Sequence, residues 1–287
     1  MNYIKLLFIS LLFSNCLFAD MPAIVPVEWL KKNIDNPKLV LVDLRPAQEY
    51  DKGHLSNAVN IPGQPDAQIL FDKKLLMPKL NTIKKTLSDT GIDKDSLVVV
   101  YDSGVFMWAA RLYWILDFLG HKDVGILQVG YGGLNQEDFD RSTITFKPKR
   151  KDFIPQIDND KIKTKLDTLL AIGKKTIIDG RIYKHYEGKE SLAKRFGHIP
   201  TAQSYACTQN YEVTESGNRM RDLKELKSVY KDLPKDKEII LYCDGGAEAA
   251  LNFIVLQELG YKASVYDGSW LEWGNDSSVP IVNPSKK

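Results

Sequence analysis

The sequence predicts an α/β fold of two tandem domains, each built on a parallel sheet with helices on both faces. Short apolar segments typical of buried strands alternate along the chain with longer segments typical of helices. The second half repeats the order of the first at a spacing of about 140 residues, which indicates duplicated domains rather than a solenoid. The 287 residues are enough for two ordinary domains.

In the first half, two strand-like segments end on charged side chains. KLVLVDLR ends at Asp43 and Arg45, and LVVVYD ends at Asp102. The following segment, VFMWAARLYWILDFLG, is predicted to be a helix, and VGILQV the next strand. This half therefore has the strand–helix–strand order of a parallel sheet.

The second half contains the same succession of segments. KTIIDGR ends at Asp179 and Arg181, and EIILYC ends at Cys243. An amphipathic helix is predicted for AEAALNFIVLQELG, followed by the strand KASVYDG. Cys243 thus occupies the position that Asp102 has in the first half.

Domain boundaries follow from these segments and from the stretch between them. STITFKPKRKDFIPQIDND is polar, contains two prolines and lacks periodicity, so we interpret it as a linker. We predict a signal peptide at residues 1–19, a first domain at 20–141, the linker at 142–162 and a second domain at 163–287.

The N-terminal segment MNYIKLLFISLLFSNCLFAD has the pattern of a secretory signal peptide and is too short to span a membrane. One cation, Lys5, precedes an apolar run, and Ala19 stands before the expected cleavage point at Asp20. We therefore expect an exported protein in a bacterial periplasm, with no transmembrane span in the mature chain. The alternative is a lipid anchor on Cys16, because LFSNC loosely resembles a lipoprotein box.

The net charge and the distribution of histidines limit which partners and which kinds of site are expected. The net charge of +2, from 39 basic and 37 acidic residues, gives no reason to expect nucleic acid. The four histidines are scattered and form no metal-binding pattern with cysteine, so no metal site is predicted. We expect His54 and His198 to buttress loops.

Cys243 lies on a predicted strand-to-helix turn, beside Gly245 and Gly246. Backbone amides and the positive end of a helix dipole point into such a turn, so it binds anions and lowers a thiol pKa. The pattern indicates a reactive thiolate, and the alternative is a buried structural cysteine.

Three motifs resemble the rhodanese family of sulfurtransferases in its tandem two-domain form. They are VYDGSWLEW at Val265–Trp273, RFGHIPTA in the second half, and VDLRPAQEYDKGHLSNAVNIP in the first. The resemblance implies a five-stranded parallel sheet in each domain and an active site in the second. It makes Cys243 the catalytic residue and the first domain, with Asp102 in that position, inactive.

The resemblance also implies the chemistry. A Cys243 thiolate would take a sulfane sulfur from a small donor (thiosulfate, 3-mercaptopyruvate, a polysulfide or a persulfide) and pass it to cyanide or a thiol, including a protein thiol. No metal or organic cofactor is required. The persulfide and substrate would be bound by the loop that follows the cysteine, which consists of Asp244, Gly245, Gly246, Ala247 and Glu248.

This loop departs from the family pattern because it carries two carboxylates, Asp244 and Glu248, and no cation. A like charge near the donor disfavours dianionic thiosulfate. In mercaptopyruvate-type members, arginines in this region bind the substrate carboxylate, so Arg181 and Arg195 are candidates for that role. The alternative for Arg181 is a structural ion pair with Asp179. Asp267 and Glu272 are expected to support the site structurally.

Two other functions remain open. A rhodanese-related phosphatase or arsenate reductase would need an arginine six positions after the cysteine, where this chain has Ala249. A sulfur carrier or binding module without turnover is the second alternative. Cys207 is expected to be a buried, inert residue on a segment that leads away from the active face, with a disulfide or resolving role towards Cys243 as the alternative.

Overall fold

The computed structural model describes residues 21–63 and 68–286. The predicted signal peptide at 1–19, including Cys16, lies outside the described residues. In the part of the chain that the structure describes, no helix is both long and apolar enough to cross a membrane.

The first domain is built on a five-stranded parallel sheet with the order β1–β6–β5–β2–β4. Its strands are β1 (Ile24–Val25), β2 (Leu39–Asp43), β3 (His54–Leu55), β4 (Val59–Asn60), β5 (Leu97–Tyr101), β6 (Val124–Leu127) and β7 (Arg141–Ser142). Its helices are α1 (Val27–Asn33), α2 (Ala47–Lys52), α3 (Leu80–Asp89) and α4 (Met107–Phe118), with a 3-10 turn at Tyr131–Gly133. Strands β3 and β7 form a separate antiparallel pair.

The second domain repeats this sheet with the order β10–β9–β13–β14–β8. Its strands are β8 (Ile162–Lys163), β9 (Thr176–Asp179), β10 (Gln203–Ser204), β11 (Tyr211–Thr214), β12 (Gly217–Met220), β13 (Ile239–Tyr242) and β14 (Ala263–Tyr266). Its helices are α5 (Lys165–Ala171), α6 (Tyr183–Tyr186), α7 (Leu223–Val229), α8 (Ala247–Glu258) and α9 (Ser269–Trp273). Further 3-10 turns lie at Asn159–Lys161 and Cys207–Asn210.

The predicted fold class is therefore confirmed, with two parallel five-stranded sheets and helices packed on them. The central strands β5 and β13 are apolar and almost completely buried, as expected of strands covered on both faces. Asp102 and Cys243 directly follow these two central strands.

The segment predicted as a linker packs on the first domain. The side chain of Phe153 is buried, and its amide donates to Ser88 Oγ at 3.1 Å. The amide of Gln156 donates to the carbonyl of Leu119 at 2.8 Å. These contacts fix where the chain enters the second domain.

Helices α4 and α8 pack against each other between the two domains. The prediction that α8 is amphipathic is wrong, because residues from Ala247 to Leu256 are buried on nearly every side. A helix that is apolar all round lies in a core, and here that core is shared by both domains. Tyr113 on α4 also donates to Gln257 Oε1 at 3.3 Å.

A hairpin of the second domain also contacts the first. Strands β11 and β12 pair in antiparallel fashion, and Asn218 Nδ2 donates to the carbonyl of Gly104 at 2.8 Å. The carbonyl of Asn218 accepts the amide of Gly130 at 3.0 Å. The hairpin therefore lies on the loop that follows β5.

Candidate active site

Cys243 lies where β13 ends and α8 begins, and it is only 1% exposed. The amide of Gly246 donates to its Sγ at 3.0 Å, and the amide of Ala249 is a second donor to the sulfur. These donors form an amide cradle, which we define by the backbone N–H groups of Gly246 and Ala249. The cradle places partial positive charge around the sulfur.

The turn requires glycine at position 246. Its φ is +87°, in the left-handed region, and a β-carbon there would lie 2.7 Å from Arg111 Nη1. Arg111 reaches this point from α4 of the first domain, where its Nη2 donates to Asp267 Oδ1 at 2.6 Å. The first domain therefore packs directly behind the amide cradle.

The first domain contains the same cradle, and a carboxylate fills it. Asp102 Oδ1 accepts from the amides of Gly104 at 2.7 Å and Phe106 at 3.0 Å, and its Oδ2 accepts from Ala109 at 3.4 Å. Burial raises the pKa of Asp102, while these amides oppose the rise. The turn after the central strand is thus built to surround an anionic group.

The thiol in the second cradle is not acidic. Burial raises the pKa of Cys243 to about 12; the charge of Glu248 adds to the rise, and the amides of Ala249 and Gly246 oppose it. The sequence-based expectation of a lowered pKa is therefore wrong, because the turn and helix dipole were visible in the sequence and the depth of burial was not.

The loop after Cys243 is fixed by the start of α9. Ser269 Oγ accepts the amide of Cys243 at 3.2 Å, and the carbonyl of Cys243 accepts the amide of Trp270 at 2.9 Å. The carbonyl of Asp244 accepts the amide of Leu271 at 3.0 Å. Sequence reasoning did not single out Ser269, although it lies in the quoted VYDGSWLEW motif.

Asp244 faces two cationic or protonatable groups. Its Oδ2 lies 3.0 Å from His185 Nδ1, and its Oδ1 lies 3.8 Å from Arg181 Nη1. Within residues 21–63 and 68–286, neither Oδ1 of Asp244 nor Nη1 of Arg181 has a hydrogen-bond partner. Burial raises the pKa of Asp244, while the charges of Arg181 and His185 oppose the rise. His185 was not predicted; it comes from α6, which follows the strand next to β13.

Most of the Arg181 guanidinium is engaged by Asp179, as the structural alternative supposed. Nε donates to Asp179 Oδ1 at 2.9 Å and Nη2 to Asp179 Oδ2 at 2.6 Å, and Nη2 also reaches the carbonyl of Gly197 at 2.8 Å. Arg45 and Asp43 form the equivalent pair in the first domain. Only Nη1 of Arg181 points towards the loop after Cys243.

The guanidinium of Arg195 binds backbone carbonyls of the C-terminal segment. Its Nη1 donates to the carbonyl of Val279 at 2.9 Å and its Nη2 to the carbonyl of Trp273 at 2.7 Å. Its Nε donates to the carbonyl of Gly274 at 3.3 Å. These contacts secure the C-terminal segment and lend no support to Arg195 as a substrate ligand.

The remaining predicted loop residues lie together. Ala247 is buried as the first residue of α8, Gly245 is partly buried, and Glu248 lies in the first turn of α8. Burial raises the pKa of Glu248 to about 7, and the charges of Asp244 and Asp179 add to the rise.

Supporting roles expected of other residues are confirmed. His54 and His198 stack on tyrosine rings and place Nδ1 2.8 Å from the carbonyls of Tyr50 and Tyr186. Glu272 accepts the Tyr266 hydroxyl at 2.8 Å. These contacts hold backbone segments in place.

Cys207 lies nearer the site than the sequence indicated. It opens a 3-10 turn against α8, and its amide donates to the carbonyl of Gly180 at 2.9 Å. Burial raises the pKa of Cys207 well above its ordinary value, with the charges of Glu248 and Cys243 adding to the rise. Both described cysteines are free thiols.

Comparison with known proteins identifies the same kind of domain in each half of the chain. A model of the rhodanese-like domain matches residues 26–137 and 162–276. A thiosulfate sulfurtransferase of Pseudomonas aeruginosa is 27% identical over 278 residues, which cover 92% of this chain and 98% of that protein. A 3-mercaptopyruvate sulfurtransferase of Escherichia coli is 28% identical over 279 residues, which cover 90% of this chain and 96% of that protein.

Solved structures agree on the fold. The crystal structure of SseA from Escherichia coli, a 3-mercaptopyruvate sulfurtransferase, superposes with a TM-score of 0.74 at 25% identity, covering 87% of this chain and 99% of that one. The EanB structure with ergothioneine superposes with a TM-score of 0.79 at 22% identity, covering 92% of this chain and 71% of that one.

Gly246→Ala should destabilise the protein more than Gly260→Ala. Both glycines have left-handed φ values, +87° and +79°, so alanine at either position is expected to cost about 1 to 2 kcal/mol. Only at position 246 would the new methyl also meet Arg111, because nothing lies within 4 Å of a β-carbon at position 260. Urea unfolding of both variants measures the difference, and equal losses would contradict a close approach of Arg111 to the turn.

Proposed function

From the premise that this chain belongs to the rhodanese family, with one domain match in each half, we propose that its sulfur transfer proceeds through a persulfide on Cys243. The chain is a sulfurtransferase of the thiosulfate and 3-mercaptopyruvate type. The proposal also covers the preferred sulfur donor and the location of the protein.

The observation that carries the persulfide proposal is the equivalence of the two amide cradles. In a cysteine persulfide, the outer sulfur stands the same number of bonds from Cα as a carboxylate oxygen does in aspartate. The first cradle already surrounds such oxygens with the amides of Gly104, Phe106 and Ala109. An anionic outer sulfur on Cys243 would find the matching amides in the second cradle.

The reaction has two halves. The Cys243 thiolate attacks the sulfane sulfur of the donor, and the remainder of the donor leaves with the electron pair of the broken bond. A thiol or cyanide then attacks the outer sulfur, and Cys243 leaves as the thiolate. Asp102 has no sulfur to carry and its oxygens are held by amides, which favours a scaffold role for the first domain.

The charge around Cys243 favours a donor with little negative charge density, such as a polysulfide or an organic persulfide. The charges of Glu248 and Asp244 both raise the pKa of the Cys243 thiol. Arg181 is bound to Asp179, and His185 is bound to Asp244. The two groups that could bind dianionic thiosulfate, Arg181 and His185, therefore already face the Asp244 carboxylate.

The alternatives receive less support. A phosphatase or arsenate reductase would need a cation in the loop to hold its oxyanion, and position 249 supplies only a backbone amide to the sulfur. A sulfur carrier without turnover remains an outcome of the loading experiment below.

We further propose that the protein is exported to a bacterial periplasm after cleavage near Asp20, with domains at 20–141 and 163–287 joined by residues 142–162. The support is the charge and apolar pattern of residues 1–19. N-terminal sequencing of protein from the native cell should find Asp20 at or near the start, whereas a lipidated Cys16 would overturn this route.

Cys243→Ser should abolish both loading and transfer of sulfur. Incubation of the wild type with a polysulfide should add the mass of one sulfur at Cys243, detected by intact-mass and peptide analysis. Cys207→Ser is the matched control, since it alters the other buried thiol and should still load. Transfer that survives in Cys243→Ser would disprove the mechanism, and loading without turnover would identify a carrier.

Asp244→Asn should improve the use of thiosulfate, because it removes a like charge while keeping the shape of the side chain. We expect kcat/KM for thiosulfate to rise about tenfold, equivalent to roughly 1.4 kcal/mol of transition-state stabilisation. Steady-state kinetics with thiosulfate and a neutral organic polysulfide measure the selectivity. Glu215→Gln, on the exposed hairpin turn, is the control for a simple loss of negative charge. An unchanged ratio between the two donors would show that Asp244 does not face the donor.

A further inference from the structure

The guanidinium of Arg111 extends from the first domain to the turn that follows Cys243 in the second. Arg111 lies on α4 and its side chain is fully buried. Its Nη2 donates to Asp267 Oδ1 at 2.6 Å, and its Nε donates to the carbonyl of Leu70 at 3.2 Å. Its Cζ lies 4.7 Å from the centre of the Phe71 ring and 4.5 Å from that of the Trp114 ring. These contacts fix the plane of the guanidinium at the boundary between the domains.

The remaining nitrogen of this guanidinium, Nη1, faces Gly246. A β-carbon on Gly246 would lie 2.7 Å from Nη1, and the amide of Gly246 donates to Cys243 Sγ at 3.0 Å. One residue therefore contacts both the cation and the sulfur. Nη1 is buried and has no hydrogen-bond partner among residues 21–63 and 68–286. A buried donor without a partner costs free energy, which favours a role for its charge at this turn.

The loop after Cys243 supplies negative charge to the site. The titratable and charged groups that surround the thiol on neighbouring elements are Asp244, Glu248, Arg181 and Cys207. The charges of Glu248 and Asp244 raise the pKa of the Cys243 thiol. Most of the Arg181 guanidinium is bound by Asp179. Arg111 adds a cation to these groups from the first domain.

The carboxylate of Asp267 binds the part of the Arg111 guanidinium that is farther from the turn. Its Oδ1 accepts from Nη2, and its Oδ2 accepts the amide of Met77 at 2.8 Å. The atom of Arg111 nearest to a β-carbon on Gly246 is Nη1, and Cζ follows at 3.5 Å. Salt screens a buried charge only weakly, so a cation in this position favours an anionic sulfur.

We propose that Arg111 is a positioning residue through which the first domain supplies positive charge to the turn around Cys243, and that this charge favours the thiolate and the persulfide anion. The inference rests on the proposed function, because it takes Cys243 as the residue that carries the sulfur. Asp102 gives the first domain no sulfur to transfer, and Arg111 gives it an electrostatic part in the transfer at Cys243.

A purely structural role of Arg111 makes a different prediction. If the ion pair with Asp267 only holds the domains together, replacing either partner breaks it, and a second replacement removes nothing further. If Arg111 acts through its charge, its loss still disfavours the thiolate after Asp267 has been replaced. The decisive comparison is therefore made within the variant Asp267→Asn, which also avoids leaving a buried carboxylate unpaired.

The experiment measures alkylation of Cys243 by iodoacetamide, a neutral reagent that reacts with the thiolate and requires no sulfur donor. Rates for Asp267→Asn and for Asp267→Asn with Arg111→Met are compared at one pH near neutrality, by intact-mass and peptide analysis. We expect the double variant to react about tenfold more slowly, which corresponds to one unit of thiol pKa. Arg141→Met is the matched control and should react like the wild type. The Arg141 guanidinium lies over the Tyr131 ring and donates to the carbonyl of Leu134, all within the first domain.

Equal or faster alkylation of the double variant would overturn the inference, because a loosened interface exposes the thiol and does not hinder its ionisation. Arg111→Lys in the Asp267→Asn variant keeps the positive charge and should recover part of the rate, whereas no recovery would contradict a role for the charge. Thermal unfolding of each variant sets a common temperature at which all are folded.

Failure of the proposed function gives a separate result. If the wild type does not load sulfur on Cys243 with any donor, the persulfide proposal fails, while alkylation still measures the effect of Arg111 on the thiol. If the wild type loads sulfur and the double variant alkylates as fast as Asp267→Asn, only the role of Arg111 fails.

Discussion

The amide cradle after each central strand is the constraint on which the rest of the structure depends. It collects backbone N–H groups at the start of a buried helix, where they must be satisfied by an anion or a polar atom. Asp102 meets this requirement in the first domain and the sulfur of Cys243 meets it in the second. One piece of backbone geometry thus surrounds a carboxylate in one domain and a thiol in the other.

The position of the second cradle depends on the packing between domains. Helices α4 and α8 share a core that excludes water from both cradles, and Arg111 reaches across to contact the turn at Gly246. This burial explains why neither the Cys243 thiol nor the Glu248 carboxyl is as acidic as an exposed group of its kind. Both groups therefore lie in an environment that favours their neutral forms.

Much of the fold was predictable, because strand periodicity and the repeat are local properties of the sequence. The strand-to-helix turn at Cys243 was predictable from adjacent residues, and so was the ion pair of Arg181 with Asp179, which the sequence offered as an alternative to substrate binding. The contacts of His185 and Ser269 were not, because each comes from a segment distant in the chain and is brought to the loop by the parallel sheet. The burial of α8 was also missed, because its polar residues bind across the interface, as Gln257 does with Tyr113.

The hairpin of β11 and β12 has a consequence for how this duplicated chain is synthesised. The first domain leaves the ribosome before residues 211–220, so its loop at Gly104 and Gly130 is uncovered until Asn218 has been synthesised. During that interval the inner face of α4 is also uncovered, because α8 is still to be made. The surfaces of the first domain that face α8 and the hairpin are therefore covered only after most of the second domain has been synthesised.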